Sequence, residues 1–304
     1  MKKIFNLSAN KESLSVGLDI GSSSLKLVAI RKKGKDNLIK KIAFQPFEPA
    51  SDAAEMISSF VKSQGLLNIP VNVSLSGQPV ITRYLSWPKM SLNELKAAMQ
   101  FEAREHIPLP LEEVVLDCAI LNEKIEENKM LIALAAIKKT VVQERIALLE
   151  RCGIIPKIID VDCFCLVNAF NSSQGREAKS RVNSAVLDIG LRYTNMVVID
   201  GADLKFSRDI LAGSQESDLN SLSSEINSSI DYYENQNGRQ IEKIFLSGGA
   251  VYSPAVMDFL KHQLNLPFEA FNVFSGLNID PCLEQNSLLS KPSLFAIALG
   301  LALR

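Results

Sequence analysis

Two stretches of the chain show the same succession of apolar strands and short turns. Residues 14–30 (LSVGLDIGSSSLKLVAI) predict a strand, a tight Gly-Ser turn and a second strand, and residues 37–47 predict a third. Residues 184–210 predict this order again, and aligning VGLDIGSSSLKLVAI with AVLDIGLRYTNMVVI brings the two Asp-Ile-Gly triplets into register. An internal repeat of this kind indicates an α/β protein with two similarly built halves.

A different pattern interrupts the first half at about residues 82–152. The apolar strand ITRYLSWP stops at Pro88. Ser91 and Glu94 then have the spacing of a capping box that opens a helix, which we expect to run to about His106 and to stop before Pro108. Two further strands joined by a charged turn, and a second helix that ends before Gly153, complete the block. We interpret it as a compact subdomain inserted into the first domain.

The polar segment NSSQGREAKSRVN at residues 171–183 marks a domain boundary. We therefore predict a first domain over residues 1–180 and a second over residues 181–304. The core of the first domain is assigned to residues 13–81 and 153–180.

The composition and charge of the chain disfavour several classes of protein. Lys and Arg number 33 against 34 Asp and Glu, a balance that disfavours a protein whose main role is to coat nucleic acid. The longest apolar run, residues 294–303, is far shorter than the roughly 18 residues that cross a bilayer. No apolar signal sequence follows the basic N-terminus, so we expect a cytoplasmic protein. The odd number of cysteines disfavours a disulfide framework, and the pair Cys163 and Cys165 is expected to be buried as small apolar side chains.

The repeated triplets have the chemistry of phosphate-binding hairpins. Glycine lets the backbone approach an anion, the following amides donate to phosphate oxygens, and the aspartate holds a cation or its waters. A third segment, Ser247-Gly248-Gly249-Ala250, links an apolar strand to a helix, so that a flat ligand can lie against the backbone there. The candidate ligand-binding residues are Asp19, Gly21, Ser22, Ser23, Ser24, Lys26, Asp188, Gly190, Thr194, Ser247, Gly248, Gly249 and Ala250, with Asp19 and Asp188 as candidate metal ligands.

In this order, the segments resemble the actin/Hsp70/sugar-kinase ATPase superfamily. Within it the chain is most similar to the PilM family of type IV pilus assembly proteins, which is related to FtsA. The matching segments are GLDIGSSSLKLVAI, SGQPVITRYLSWPKMSLNELKAAMQFEAREHIPLPLEEVVLD, IIDVDCFCLVNAF, SSIDYYENQNGRQIEKIFLSGGA and FAIALGLALR.

The resemblance implies an actin-like ATPase fold, with two RNase H-like domains around a nucleotide cleft and an FtsA-like inserted subdomain. It implies ATP and Mg²⁺ as ligands and the N-terminal cytosolic tail of PilN, an inner-membrane protein, as partner. Other pilus platform or motor proteins are possible further partners, nucleic acid is not expected, and the membrane is reached only through the partner.

The chain departs from the family pattern in two places. Family members usually have an extended helical subdomain between SRDILAGSQ and the helix that contains SSIDYYENQ, but here only about a dozen residues separate them, which implies a shortened subdomain at about residues 211–240. The second hairpin carries Leu191-Arg192-Tyr193 where small residues are usual. Arg192 either pairs with a phosphate or takes the place that a phosphate would occupy.

Three functions fit these features. The first is a cytoplasmic scaffold of type IV pilus or related type II secretion assembly that binds ATP with little or no hydrolysis, because no residue stands out as a base for water. The second is a nucleotide-free adaptor of the same machinery. The third is a small-molecule kinase, which needs a carboxylate base that the first half does not obviously supply beyond Asp19. Because no amphipathic tail follows the last apolar segment, an FtsA-like membrane role is disfavoured.

The strand ITRYLSWP is the candidate partner-binding element. Arg83, Tyr84 and Trp87 are residue types that often anchor interfaces, and an edge strand can accept an extended peptide through its main chain. The alternative is that Tyr84 and Trp87 pack the interior of the inserted subdomain.

Overall fold

The fold is described over most of the sequence. A computed structural model of the chain describes residues 13–33, 36–47, 52–77, 79–173 and 182–304. The first 12 residues and most of the predicted boundary segment, residues 174–181, lie outside the described residues.

The described residues form fourteen strands in three sheets and seven helices. In chain order the strands are β1 (Ser13–Ile20), β2 (Ser24–Lys33), β3 (Asp36–Pro46), β4 (Pro70–Leu75), β5 (Val80–Pro88), β6 (Val114–Glu126), β7 (Lys129–Lys138), β8 (Ile155–Val161), β9 (Asn183–Ile189), β10 (Thr194–Asp200), β11 (Asp203–Ile210), β12 (Lys243–Ser247), β13 (Phe268–Ala270) and β14 (Asn278–Ile279). The helices are α1 (Ala53–Ser63), α2 (Leu92–Glu102), α3 (Lys139–Arg151), α4 (Asp162–Ser173), α5 (Leu219–Asn237), α6 (Pro254–Gln263) and α7 (Ala296–Ala302).

The two large sheets share one topology. In the first sheet, β1, β2 and β3 form an antiparallel meander, and β4 and β8 add parallel strands beside β1. In the second sheet, β9, β10 and β11 form the same meander, and β12 and β13 add parallel strands beside β9. The predicted internal repeat is therefore confirmed as two sheets of the same strand order, and β14 extends the first sheet at its outer edge.

The inserted block forms the third sheet, in the order β5-β7-β6. Helix α2 covers one face through Leu95 and Met99, which are fully buried with residues of β7 in one apolar cluster. The predicted capping box is present, because the Ser91 amide donates to Glu94 and the Glu94 amide donates to the Ser91 hydroxyl oxygen. The helix was expected to run to about His106; its α-helical part ends at Glu102, and a 3-10 turn continues it over Ala103–Glu105.

Helices α4 and α7 connect the two large sheets. Helix α7 packs so closely on the first domain that a Cβ added at Gly300 would lie 2.0 Å from the carbonyl oxygen of Cys165 in α4. Helix α4 in turn packs Phe170 against Phe245 and Phe271 of the second domain, with ring centroids 5.2 and 5.8 Å apart. Glycine at position 300 permits this close approach of the two helices, because any side chain there would clash with the α4 backbone.

In the second domain, a short connection joins β11 to α5. Residues 211–218 lead from β11 into α5, which packs on the second sheet through Ile226, Ile230 and Tyr233. Within residues 211–240, all of which are described, α5 is the one extended element.

Two further expectations concern the interior and the helices. Cys163 and Cys165 are buried and free, as expected for thiols that pack as small apolar groups. Among the described helices, none is both long enough and apolar enough to span a membrane.

Candidate functional site

The first Asp-Ile-Gly hairpin joins β1 to β2. Its Gly21 amide donates to the Ser24 carbonyl at 3.1 Å, which closes the turn around Ser22 and Ser23. Asp19 lies opposite Lys26 in the strand register, and the Lys26 ammonium is 2.8 Å from a carboxylate oxygen of Asp19. The hairpin thus presents a paired carboxylate and ammonium beside a turn of small residues.

The second hairpin joins β9 to β10 and is built differently at its tip. Gly190 donates its amide to the Tyr193 carbonyl at 2.9 Å, and the buried Thr194 donates its hydroxyl to the Ala212 carbonyl at 2.9 Å. Arg192 and Tyr193 are exposed. The Thr194 hydroxyl therefore joins the start of β10 to the segment that follows β11, while Arg192 is exposed at the tip of the hairpin.

The Ser247–Ala250 loop is attached directly to the second hairpin. The Ser247 hydroxyl donates to an Asp188 carboxylate oxygen at 2.8 Å. Gly248 has φ +90°, and a Cβ there would lie 2.3 Å from the Ile189 carbonyl oxygen, so only glycine fits. Gly249 faces open space, whereas Ala250 is buried. The loop therefore fixes Asp188 and leaves room for a ligand at Gly249.

Charged side chains from both hairpins share one electrostatic environment. Burial lowers the pKa of the Lys26 ammonium, but the carboxylates of Asp19 and Asp188 outweigh that effect and the net pKa is raised. Burial raises the pKa of Asp188 to about 6, with repulsion from Asp19 adding to the shift and Lys26 and Ser247 opposing it. The two predicted hairpins are thus electrostatically coupled across the cleft.

Asp162 also belongs to this cluster, although no motif in the sequence marks it as a site residue. It begins α4 directly after β8, and the Asn195 amide group of β10 lies 3.4 Å from its carboxylate. Burial and the neighbouring Asp19 raise its pKa to about 7, against hydrogen bonds from two serines near the end of β4. An aspartate at the junction of a buried strand and an apolar helix was the available signal in the sequence.

The donor set fits a bound cation and an anion together. The carboxylates of Asp19, Asp162 and Asp188 raise the pKa of the Lys26 ammonium. Burial lowers the pKa of the Arg145 guanidinium, against the attraction of Asp162 and Asp19. Burial is the main cause of the raised pKa values of Asp162 and Asp188, and repulsion from the Asp19 carboxylate adds to both shifts. Within the described residues no three His, Cys, Asp or Glu side chains form a metal-binding group. Mg²⁺ does not need one, because it is commonly held by one or two carboxylates, phosphate oxygens and water.

The three predicted partner-binding residues occupy different environments. Arg83 is exposed and donates to the Thr82 carbonyl at 2.9 Å. Tyr84 donates its hydroxyl to Ser207 of β11 at 2.6 Å. Trp87 packs edge-on to the His106 ring at 6.1 Å, and its buried indole nitrogen has no hydrogen-bond partner among the described residues. Arg83 is therefore the side chain of this set that is presented at the surface.

The carboxyl cluster predicts an unusual pH dependence of stability. The unfolded chain releases these protons near pH 4, whereas the folded protein holds them on Asp188 and Asp162 up to about pH 6 and 7. The folded state binds more protons in that window, so this contribution to stability falls as the pH rises through it.

Asp162→Asn is therefore expected to raise the free energy of unfolding at pH 8 by on the order of 1–3 kcal/mol, with little effect at pH 4. Urea unfolding of the wild type and the variant at both pH values measures this. An equal change at pH 4 and pH 8 would show that Asp162 is not a titrating member of the cluster.

Comparison with known proteins gives consistent results. The family described as "Type IV pilus assembly protein PilM" matches residues 17–219 and 218–304. Among solved structures, the chain is similar to a PilM-PilN type IV pilus biogenesis complex, with 25% identity, a TM-score of 0.80, and 97% of this chain and 99% of that chain covered.

A more distant likeness concerns the fold alone. The ethanolamine utilization protein EutJ from Carboxydothermus hydrogenoformans aligns with 11% identity and a TM-score of 0.51, covering 96% of this chain and 90% of that chain. A Bacteroides thetaiotaomicron protein with an actin-like ATPase fold aligns at a TM-score of 0.50 with 10% identity, covering 95% and 99%. The repeated sheets, the facing hairpins and the family match over both halves lead to one conclusion: the chain belongs to the PilM family of type IV pilus assembly proteins.

Proposed function

We propose that this protein is a cytoplasmic scaffold of type IV pilus assembly, or of a related type II secretion system. In this proposal it binds Mg-ATP between its two hairpins and docks the cytosolic tail of a PilN-like inner-membrane protein. The tail then recruits the scaffold to the membrane. The observation that carries the docking role is the exposed Arg83 on β5, a strand whose outer edge is unpaired among the described residues.

The nucleotide role rests on the charged cluster in the cleft. Asp19 and Asp188 supply carboxylates for Mg²⁺, while the turn at Ser22 and Ser23 offers small residues that phosphates can approach. The Gly190 amide closes its own turn, so Gly190 contributes the absence of a side chain and not a donor. Gly249 offers an unobstructed backbone for the nucleoside. Bound Mg²⁺ would neutralise the excess negative charge, and the residues of the chain would orient the phosphates beside it.

The docking role rests on the geometry of the inserted sheet. Strand β5 pairs with β7 on one side, and no other described strand pairs with it. Such an edge can bind an extended peptide by main-chain hydrogen bonds, with side chains giving specificity. The solved PilM-PilN complex supports a partner of this kind for the family.

Arg83→Glu is expected to weaken binding of a synthetic PilN-like tail peptide at least tenfold, because it reverses the charge of the exposed side chain on the docking strand. The fold should survive, since Arg83 makes only a hydrogen bond to its own strand in the described structure. Titration calorimetry with the full chain measures the affinity.

Arg104→Glu is the matched control, because Arg104 is an exposed arginine on the helical side of the same subdomain. We expect its affinity to stay within about twofold of the wild type. Equal losses in both variants would mean that overall charge, and not the β5 edge, determines binding.

Asp162 supports a second candidate function, a small-molecule kinase. A buried carboxylate with a pKa of about 7 beside the phosphate hairpins has the properties of a general base. Phosphoryl transfer from Mg-ATP to a panel of sugars would distinguish this activity from a scaffold. Binding of the tail without any binding of Mg-ATP would instead favour the nucleotide-free adaptor.

A further inference from the structure

Arg145 is a half-buried cation on α3, the helix that leaves the inserted sheet. Strand β7 ends at Lys138, and α3 begins at the next residue, so no loop separates the helix from the sheet. The position of this helix is therefore tied to the position of the inserted subdomain.

Apolar residues on both sides of Arg145 define the face of α3 on which it lies. Val141 is four residues before Arg145 and Leu149 is four residues after it, so the three side chains share one helix face. Val141 packs against the apolar cluster that contains Val161. Leu149 belongs to a different cluster, which contains Leu18. Arg145 thus lies between two clusters, on the face of α3 that packs against the first domain.

These two clusters flank carboxylates of the cleft. Val161 directly precedes Asp162, and Leu18 directly precedes Asp19. A side chain between the clusters is therefore placed near both aspartates. The electrostatic attraction of Arg145 to Asp162 and Asp19 agrees with this placement.

Neither aspartate pairs directly with Arg145. In the described part of the chain the guanidinium forms no ion pair and no hydrogen bond, whereas the Lys26 ammonium is 2.8 Å from a carboxylate oxygen of Asp19. A guanidinium has five N–H donors in a planar fork that matches the geometry of a phosphate. The donors of Arg145 are therefore available to an anion that enters the cleft beside these carboxylates.

We propose that Arg145 binds the terminal phosphate of Mg-ATP and makes the site prefer a nucleoside triphosphate to a diphosphate. This inference rests on the proposed function, because it concerns the same nucleotide and adds a residue of the inserted subdomain to those that hold it. The proposed position of the nucleoside is at Gly249, in the second domain. Arg145 packs on the first domain, so it meets the phosphate that lies farthest from the nucleoside.

Two roles of Arg145 give different ligand dependence. If the guanidinium only offsets the negative charge of Asp162 and Asp19, its removal affects a diphosphate and a triphosphate alike. If it donates to the terminal phosphate, its removal weakens the triphosphate and leaves the diphosphate almost unchanged, because charge-assisted hydrogen bonds to that phosphate are lost. A comparison of the two nucleotides therefore separates the roles.

Arg145→Gln tests the contact by titration calorimetry of the full chain with Mg-ADP and with the Mg²⁺ complex of the β,γ-imido analogue of ATP. We expect the wild type to bind the analogue at least about tenfold more tightly than Mg-ADP. In Arg145→Gln, affinity for the analogue should fall by at least about tenfold and affinity for Mg-ADP should stay within about twofold. Arg151→Gln, at an exposed arginine in the last turn of α3, should leave both affinities within about twofold of the wild type.

Arg145→Lys gives a second test that does not depend on the folding of the glutamine variant. Lysine keeps the charge but lacks the planar fork, so we expect it to retain only part of the preference for the analogue. Equal losses for both nucleotides in either variant would assign Arg145 a structural role and overturn the inference. A wild type that binds both nucleotides equally well would also overturn it, although the nucleotide site would stand. A wild type that binds neither nucleotide would contradict the nucleotide role of the proposed function, and the inference would fall with it.

Discussion

Mg-ATP is expected to stabilise the wild-type protein against heat, and replacing Asp19 with asparagine is expected to abolish that stabilisation. The carboxylate is a proposed Mg²⁺ ligand, and it pairs with the Lys26 ammonium at 2.8 Å, so the variant loses charge at the cation and leaves Lys26 without this partner. We expect affinity to fall by at least 100-fold, which corresponds to about 2.7 kcal/mol.

Differential scanning fluorimetry with and without Mg-ATP measures this effect. At a ligand concentration of about 100 times the dissociation constant, binding stabilises the wild type by roughly 2.7 kcal/mol, enough for a shift of several degrees. Asp36→Asn, at an exposed aspartate of the same domain, should keep the full shift. An Asp19→Asn variant that retains the shift would remove Asp19 from the nucleotide site.

Replacing Gly300 with alanine is expected to lower the free energy of unfolding substantially. The new Cβ would lie 2.0 Å from the carbonyl oxygen of Cys165, so backbone must move in α4 or α7. Overpacking of this kind costs typically 1–3 kcal/mol and occasionally more, which exceeds the roughly 1 kcal/mol that alanine gains over glycine in a helix.

Urea unfolding monitored by circular dichroism gives the change in free energy. Gly249→Ala is the matched control for stability, because a Cβ at Gly249 meets no atom within 4 Å. If Gly300→Ala proved as stable as the wild type, the close approach of α4 and α7 would not be a constraint on the fold.

The sequence was sufficient to predict the repeated part of the fold. Both meanders follow from apolar alternation interrupted by Asp-Ile-Gly, and these signals depend only on local periodicity and turn chemistry. The change from α-helix to a 3-10 turn after Glu102 was not predicted, because a capping box defines where a helix begins but gives no information about its end.

The candidate site was predictable only in part. Asp19 and Asp188 lie in motifs that signal phosphate binding. Asp162 lies between an apolar strand and an apolar helix, and its raised pKa depends on burial and on residues far away in the sequence, such as Asp19. The contact between Tyr84 and Ser207 was equally hidden, because it joins strands of different domains. Long-range packing of this kind leaves no local pattern in the chain.

The central claim is that this chain docks a membrane partner's tail on the inserted subdomain. Hydrogen–deuterium exchange of the full chain, with and without a saturating PilN-like tail peptide, tests it most directly. We predict slower exchange of amides within Val80–Trp87, because an added peptide strand would accept hydrogen bonds from the unpaired edge of β5. Tail binding that slowed exchange elsewhere and left β5 unchanged would contradict the claim.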